Sequence, residues 1–95
     1  MNAMFEWDRR KAASNTSKHR VPFEEALTVF GDPLARIFSD EDHSIEEQRE
    51  ILIGHSSQRR LPVVCFTAYG GSVRIFSARP ATKSGRRDYE ENAEW

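Results

Sequence analysis

Ninety-five residues, 38% hydrophobic and 31% charged with a net charge of −1, describe a compact chain rather than a disordered or fibrous one. One cysteine, Cys65, excludes an internal disulfide and a thiolate zinc set, and no window approaches the ~20 apolar residues of a membrane span. The expectation is a single cytoplasmic domain over residues 1–95, loose at 1–4 and 92–95, too small to enclose an active site and suited to an open groove.

Charge is unevenly placed. Arg9, Arg10, Lys11, Lys18, His19 and Arg20 cluster near the start, Arg74, Arg79, Lys83, Arg86 and Arg87 near the end, and residues 24–50 are strongly acidic. A fold that brings the two basic ends together makes a phosphate-steering patch on a nearly neutral molecule.

Phe5-Glu6-Trp7 reads as a short strand ending at Asp8, a good helix N-cap. Residues 9–19 contain neither Gly nor Pro and form the first helix; Val21-Pro22 interrupts it, and Pro22 opens a second. Phe23, Ala26, Leu27 and Phe30 fall at i, i+3, i+4 and i+7, a core helix stopped by Gly31-Asp32-Pro33, with Gly31 suited to the left-handed cap. Residues 35–39, 49–56, 61–69 and 72–78 are rich in β-branched and aromatic side chains and read as strands. An acidic loop (40–47), a polar turn (57–60) and the hairpin pair Gly70-Gly71 separate them, and residues 82–93 form a last helix. The sum is β-α-α-β-β-β-β-α, an α+β fold with an antiparallel sheet, two N-terminal helices and one C-terminal helix, the helices packed on one face.

Lys11, Asn15, Lys18 and His19 stand at i, i+4, i+7 and i+8, one polar cationic stripe of a helix. It is either a solvated face or a phosphate-facing ridge, with His19 placed to exchange a proton. His43 falls in the acidic loop, and His55 shares strand parity with Ile51 and Ile53 as a satisfied structural residue. On the last strand, alternation puts Ile75, Ser77 and Arg79 on one side and Arg74, Phe76 and Ala78 on the other. The two arginines therefore share a site only if a bulge intervenes. Arg79 suits phosphate contact through its planar fork of donors, Arg74 can pair with an acid such as Glu50, and Arg49 serves as salt bridge or active-site cation.

Asp40-Glu41-Asp42-His43 resembles a cation trap, but no glycine bends it as in a calcium loop, and no paired histidines or cysteines complete a transition-metal set. No glycine-flanked serine and no phosphate-binding glycine loop occurs. The chemistry expected is therefore cation-assisted proton transfer on a phosphate chain, with no metal and no cofactor. The rivals are a non-catalytic module that docks an acidic partner and a DNA-binding regulator, the latter lacking a recognition helix.

Phe5-Glu6-Trp7-Asp8, Lys11, Asn15, Lys18-His19, Phe23-Glu24-Glu25-Ala26, Val29-Phe30 and Asp32-Pro33 together resemble the opening signature of BrnT toxins. The similarity continues through Arg49, Ile53-Gly54, the run Arg74-Ile75-Phe76-Ser77-Ala78-Arg79 and Tyr89-Glu90. The resemblance implies a RelE-like fold, a ribonuclease toxin that blocks translation, and a type II toxin–antitoxin pairing with a BrnA-type antitoxin in a hetero-oligomer. Operator DNA is then reached only through the antitoxin complex. The chain departs from that pattern at Arg20, where glycine usually follows Lys-His, and at Pro22, where a small hydroxyl residue is common.

The chemistry expected is attack of an RNA 2′-hydroxyl on its neighbouring phosphate, which needs a base, an acid and cations for the extra negative charge. His19 is expected as base or acid and Lys11, Arg49 and Arg79 as charge stabilisers; Asn15, Lys18 and Arg74 contact RNA, and Tyr89 stacks on unpaired bases. A toxin of the same fold aimed at a protein such as a topoisomerase stays open at this point.

Overall fold

The computed structural model describes residues 4–40 and 48–92. Strand β1 (Met4–Glu6) leads to Asp8, whose carboxylate accepts the N–H groups of Arg10 at 2.8 Å and Lys11 at 3.2 Å and starts α1 (Arg9–His19). Those two N–H groups also hold the Asp8 carboxyl below its usual pKa. Arg20 ends the helix in the left-handed conformation, φ 61° and ψ 27°, its N–H on the Thr16 carbonyl. The turn that usually carries glycine is thus kept, with arginine adopting the glycine geometry. Pro22, at φ −63° and ψ 148°, is the extended cap just before the next helix and not, as expected, its first residue.

That helix is shorter than its sequence period implies. Only α2 (Phe23–Ala26) is α-helical; Leu27–Gly31 continues as a 3-10 helix. Thr28 Oγ1 donates to the Glu25 carbonyl at 2.6 Å, and the Asp32 N–H reaches back three residues to Val29. Three residues per turn brings positions three apart onto one side. Phe23, Ala26 and Val29 are accordingly the fully buried residues, while Leu27 and Phe30 are half-buried. Gly31 takes no left-handed cap; the chain leaves through Asp32 in an extended conformation.

Strands β2 (Arg36–Ser39), β3 (Glu50–Ile53), β4 (Pro62–Tyr69) and β5 (Ser72–Pro80) form the expected antiparallel meander, and α3 (Lys83–Asn92) closes the chain. The β4–β5 hairpin turns on Gly70 and Gly71, both at positive φ. β1 adds in parallel to β5, so the five-stranded sheet, in the order β1-β5-β4-β3-β2, is mixed.

The two sheet faces are covered differently. Leu52, Val64, Phe66, Val73, Ile75 and Ala78 meet Val21, Phe23, Ala26 and Val29 on one face. Aromatic edges lock that layer, with ring centroids 5.0 Å apart for Phe30–Phe66, 5.1 Å for Phe5–Phe30 and 5.8 Å for Trp7–Phe23. The alternate side chains Ile53, Leu61 and Val63 meet Tyr89 of α3 on the other. The helices therefore do not share a face as expected: α3 covers part of the opposite one, and the remainder, which no described helix covers, is where a site can form.

Candidate functional site

Docking of α1 cannot rest on an apolar stripe, because its sequence offers only Ala12 and Ala13. Asn15 supplies the link instead. Buried to 7% exposure, its carboxamide donates to the Ala78 carbonyl at 2.7 Å and to the Val21 carbonyl at 3.0 Å, and accepts the Ala78 N–H at 3.1 Å. β1 pairs only with Ser72, Val73 and Arg74, so beyond Arg74 this side chain takes the place of a neighbouring strand on β5. The polar stripe of α1 is thereby held beside the part of the sheet face that α3 does not cover.

Between them lies a cleft of about 520 Å³. Lys11, Ser14, Asn15, Lys18 and His19 form one wall; Arg49, Ile51, Val63, Cys65, Phe76, Ser77 and Arg79, with Asp40, form the rest. Residues from five separate sequence segments thus meet.

Arg79 reaches the cleft because β5 is bulged. Register slips between Cys65 and Phe66, so Cys65 pairs with Ser77 and Phe66 with Ile75, leaving Phe76 as the extra residue. Strict alternation would send Phe76 and Arg79 to opposite faces; the bulge puts Phe76, Ser77 and Arg79 together in the cleft.

Phe76 is the residue that sequence reasoning missed, because nothing in the sequence marks the bulge. The Arg49 guanidinium carbon lies 4.0 Å from its ring centroid and the Lys11 Nζ 5.4 Å, both within cation–π range. One aromatic ring therefore holds two cations that would otherwise repel.

Cys65 donates its thiol to Asp40 Oδ2 at 3.6 Å; burial first, then the Asp40 carboxylate, pushes its pKa up to about 11. It stays protonated at neutral pH and is no nucleophile. Among the described residues, no group of three or more His, Cys, Asp or Glu side chains converges as a metal cage. Residues 41–47, and with them most of the acidic loop and His43, lie outside the described residues.

Two residues expected to contact RNA lie outside the cleft. Tyr89 is buried at 5% exposure, its hydroxyl donating to Asp32 Oδ2 at 2.8 Å and 3.1 Å from His55 Nδ1. A ring so covered cannot stack on a base; burial and the Asp32 carboxylate push its hydroxyl up to about 12. Arg74 pairs with Glu6 at 3.4 Å, not with Glu50, and lines the neighbouring hollow rather than the cleft.

Asp32 ties the α3 side together, also accepting the N–H groups of Leu34 at 2.9 Å and His55 at 2.8 Å. Gly54 lets this happen, since a Cβ there would sit 2.8 Å from the Ala35 Cβ and 3.0 Å from Asp32 Oδ2. One residue on from His55, Ser56 is buried with Glu25, which accepts the Ser56 hydroxyl at 2.6 Å and Nε of the exposed Arg60 at 2.9 Å. Both clusters hold loops in place and neither lines the cleft.

Comparison with known proteins agrees with this architecture. Residues 7–85 match the family model of the ribonuclease toxin, BrnT, of type II toxin–antitoxin systems. The 1.1 Å crystal structure of the Brucella abortus ribonuclease toxin BrnT superposes with a TM-score of 0.64 at 23% identity, covering 84% of this chain and 99% of that one, a likeness of fold. No curated protein sequence matches. The family match spans most of the chain, and a toxin of a type II system has an antitoxin as its partner. The chain belongs to the BrnT family of ribonuclease toxins.

Proposed function

We propose that the chain is a metal-independent endoribonuclease whose active site is the α1–sheet cleft, acting in the cytoplasm to block translation. The observation that carries this is the convergence of Lys11, Lys18 and His19 with Arg49 and Arg79 around one cleft. Among the described residues, four cationic side chains face one carboxylate, Asp40, a balance that suits a polyanion and supplies the charge stabilisation a metal would otherwise give.

In this reaction the 2′-oxygen of RNA bonds to the adjacent phosphorus as the bond to the 5′-oxygen breaks. The 2′-hydroxyl proton goes to a base and the departing 5′-oxygen takes one from an acid, leaving a cyclic phosphate and a free 5′-hydroxyl. His19 is the residue for proton transfer. Arg49 and Lys11, fixed on Phe76, and Arg79 stabilise the phosphorane charge, while Lys18 holds a flanking phosphate. Asn15 acts by positioning α1. A BrnA-type antitoxin restrains the toxin in a hetero-oligomer and carries the complex to operator DNA.

Purified protein incubated with total RNA in excess EDTA, beside His19→Ala and Arg79→Ala, tests this. Cleavage by the wild type and its loss in both variants is expected. Equal cleavage by all three would reject the residue assignment, and intact RNA in every lane would reject the ribonuclease reading of the cleft.

A further inference from the structure

Beside the catalytic cleft, on the same sheet face, lies a second hollow of about 430 Å³ lined by Glu6, Gln48, Thr67, Tyr69, Ser72 and Arg74. Its floor is continuous with the first. Cys65 of β4 and Phe76 of β5 line the cleft, and Thr67 and Arg74, two positions on along each strand, line the hollow. Two residues of strand span about 7 Å, a step that neighbouring nucleotides of an unpaired strand cover.

Tyr69 stands at the far end, 84% exposed. It pairs in register with Ser72, so its direct neighbour on β5 is a small side chain, and the tight Gly70–Gly71 turn fixes its base. A lone exposed aromatic is ordinary; one on the floor line of a cationic cleft, next to a polar hollow, is a stacking platform.

We infer that this hollow and Tyr69 form a base-binding subsite for single-stranded RNA, taking the nucleotide next to the one cleaved and stacking a further base on the Tyr69 ring. The inference rests on the ribonuclease reading of the cleft. The hollow suits a base edge rather than a phosphate. Glu6 and Arg74, 3.4 Å apart, offer a carboxylate acceptor beside guanidinium donors, and the carboxylate repels a phosphate. The Thr67 hydroxyl gives its proton to the Gln48 carbonyl at 2.6 Å, leaving its oxygen as an acceptor. The aromatic role that the sequence suggested for Tyr89 passes to Tyr69.

The test uses Tyr69→Ala and Tyr69→Trp, changes at an exposed hairpin position. Binding is read by anisotropy with a labelled single-stranded DNA of about ten nucleotides, which has no 2′-hydroxyl to react. Cleavage is read with the RNA of the same sequence and with a dinucleotide that spans only the scissile phosphate. Tyr69→Ala is expected to weaken strand binding and raise KM for the long RNA at least about fivefold, with kcat and dinucleotide cleavage unchanged, and Tyr69→Trp to restore both.

Wild-type affinity in Tyr69→Ala would overturn the subsite. So would unchanged strand binding with a weakened antitoxin complex, which would give the surface to the antitoxin. Failure of the ribonuclease reading is separable: the wild type would then cut no RNA, whatever Tyr69 does to strand binding.

Discussion

Asn15 and Ala78 are hydrogen-bonded as adjacent strands are, the carboxamide donating to the Ala78 carbonyl at 2.7 Å and accepting its N–H at 3.1 Å. Removing that side chain leaves buried backbone groups of β5 and the Val21 carbonyl without their partner and frees a helix that has little apolar surface of its own. Asn15→Ala is expected to cost about 2–3 kcal/mol, lowering Tm by roughly 10–20 °C in a domain of this size. Asn15→Asp should do no better, because its ionised side chain has no donor for the two carbonyls. Thermal unfolding by circular dichroism checks both, and a Tm loss under about 4 °C would show that α1 docks by other means.

Phe76 governs where two cations stand. Phe76→Leu keeps an apolar side chain and removes the π-face under Arg49 and Lys11. Its kcat/KM for RNA should fall about tenfold with Tm nearly unchanged, and Phe76→Tyr should restore activity. Kinetics of the leucine variant indistinguishable from wild type would make the ring a passive floor.

The cationic stripe of α1 was legible because helical spacing alone groups Lys11, Lys18 and His19, and the Asp8 cap and Gly70–Gly71 turn because their signals are local. Asn15 was legible as part of the stripe but not as the group that docks it, since its partner is 63 residues away. The bulge at Phe76 was not legible: it depends on pairing between β4 and β5 and not on any residue type. Tyr89 misled for a related reason. Its helix is polar enough to look solvent-facing, yet Asp32 gives its hydroxyl a buried partner that no local pattern announces.

Stability should depend on pH through two carboxylates outside the cleft. Arg60 above all, against the opposing cost of burial and with help from Ser56, holds Glu25 below its ordinary value of 4.5. Burial pushes Asp32 up, but the N–H groups of His55 and Leu34 and the Tyr89 hydroxyl outweigh it, so Asp32 also lies below its ordinary 3.8. A carboxylate depressed in the folded state contributes stability that is present above its unfolded pKa and lost as pH falls through the folded one. The unfolding free energy is therefore expected to hold from neutral pH to about 5 and to decline below about 4.5. Glu25→Gln should flatten part of that decline while costing about 2 kcal/mol at pH 7, measured by urea unfolding at each pH. An equally steep decline in Glu25→Gln would remove Glu25 from the account.

Arg20 holds a left-handed conformation, φ 61°, that an L side chain adopts at a cost of roughly 1 kcal/mol. Glycine adopts it freely but gives up more chain entropy on folding, so Arg20→Gly should gain somewhat less than 1 kcal/mol. That corresponds to a Tm rise of a few °C. The contact Arg60 makes here is to the Arg20 carbonyl, at 2.8 Å, and it survives the change. The substitution thus separates backbone geometry from charge at the residue that follows His19. A higher Tm with unchanged RNA cleavage is the expected result, and it would mean that the turn holds His19 in place and the Arg20 guanidinium contributes nothing to the reaction. A higher Tm with a raised KM would instead extend the phosphate-binding surface around the end of α1.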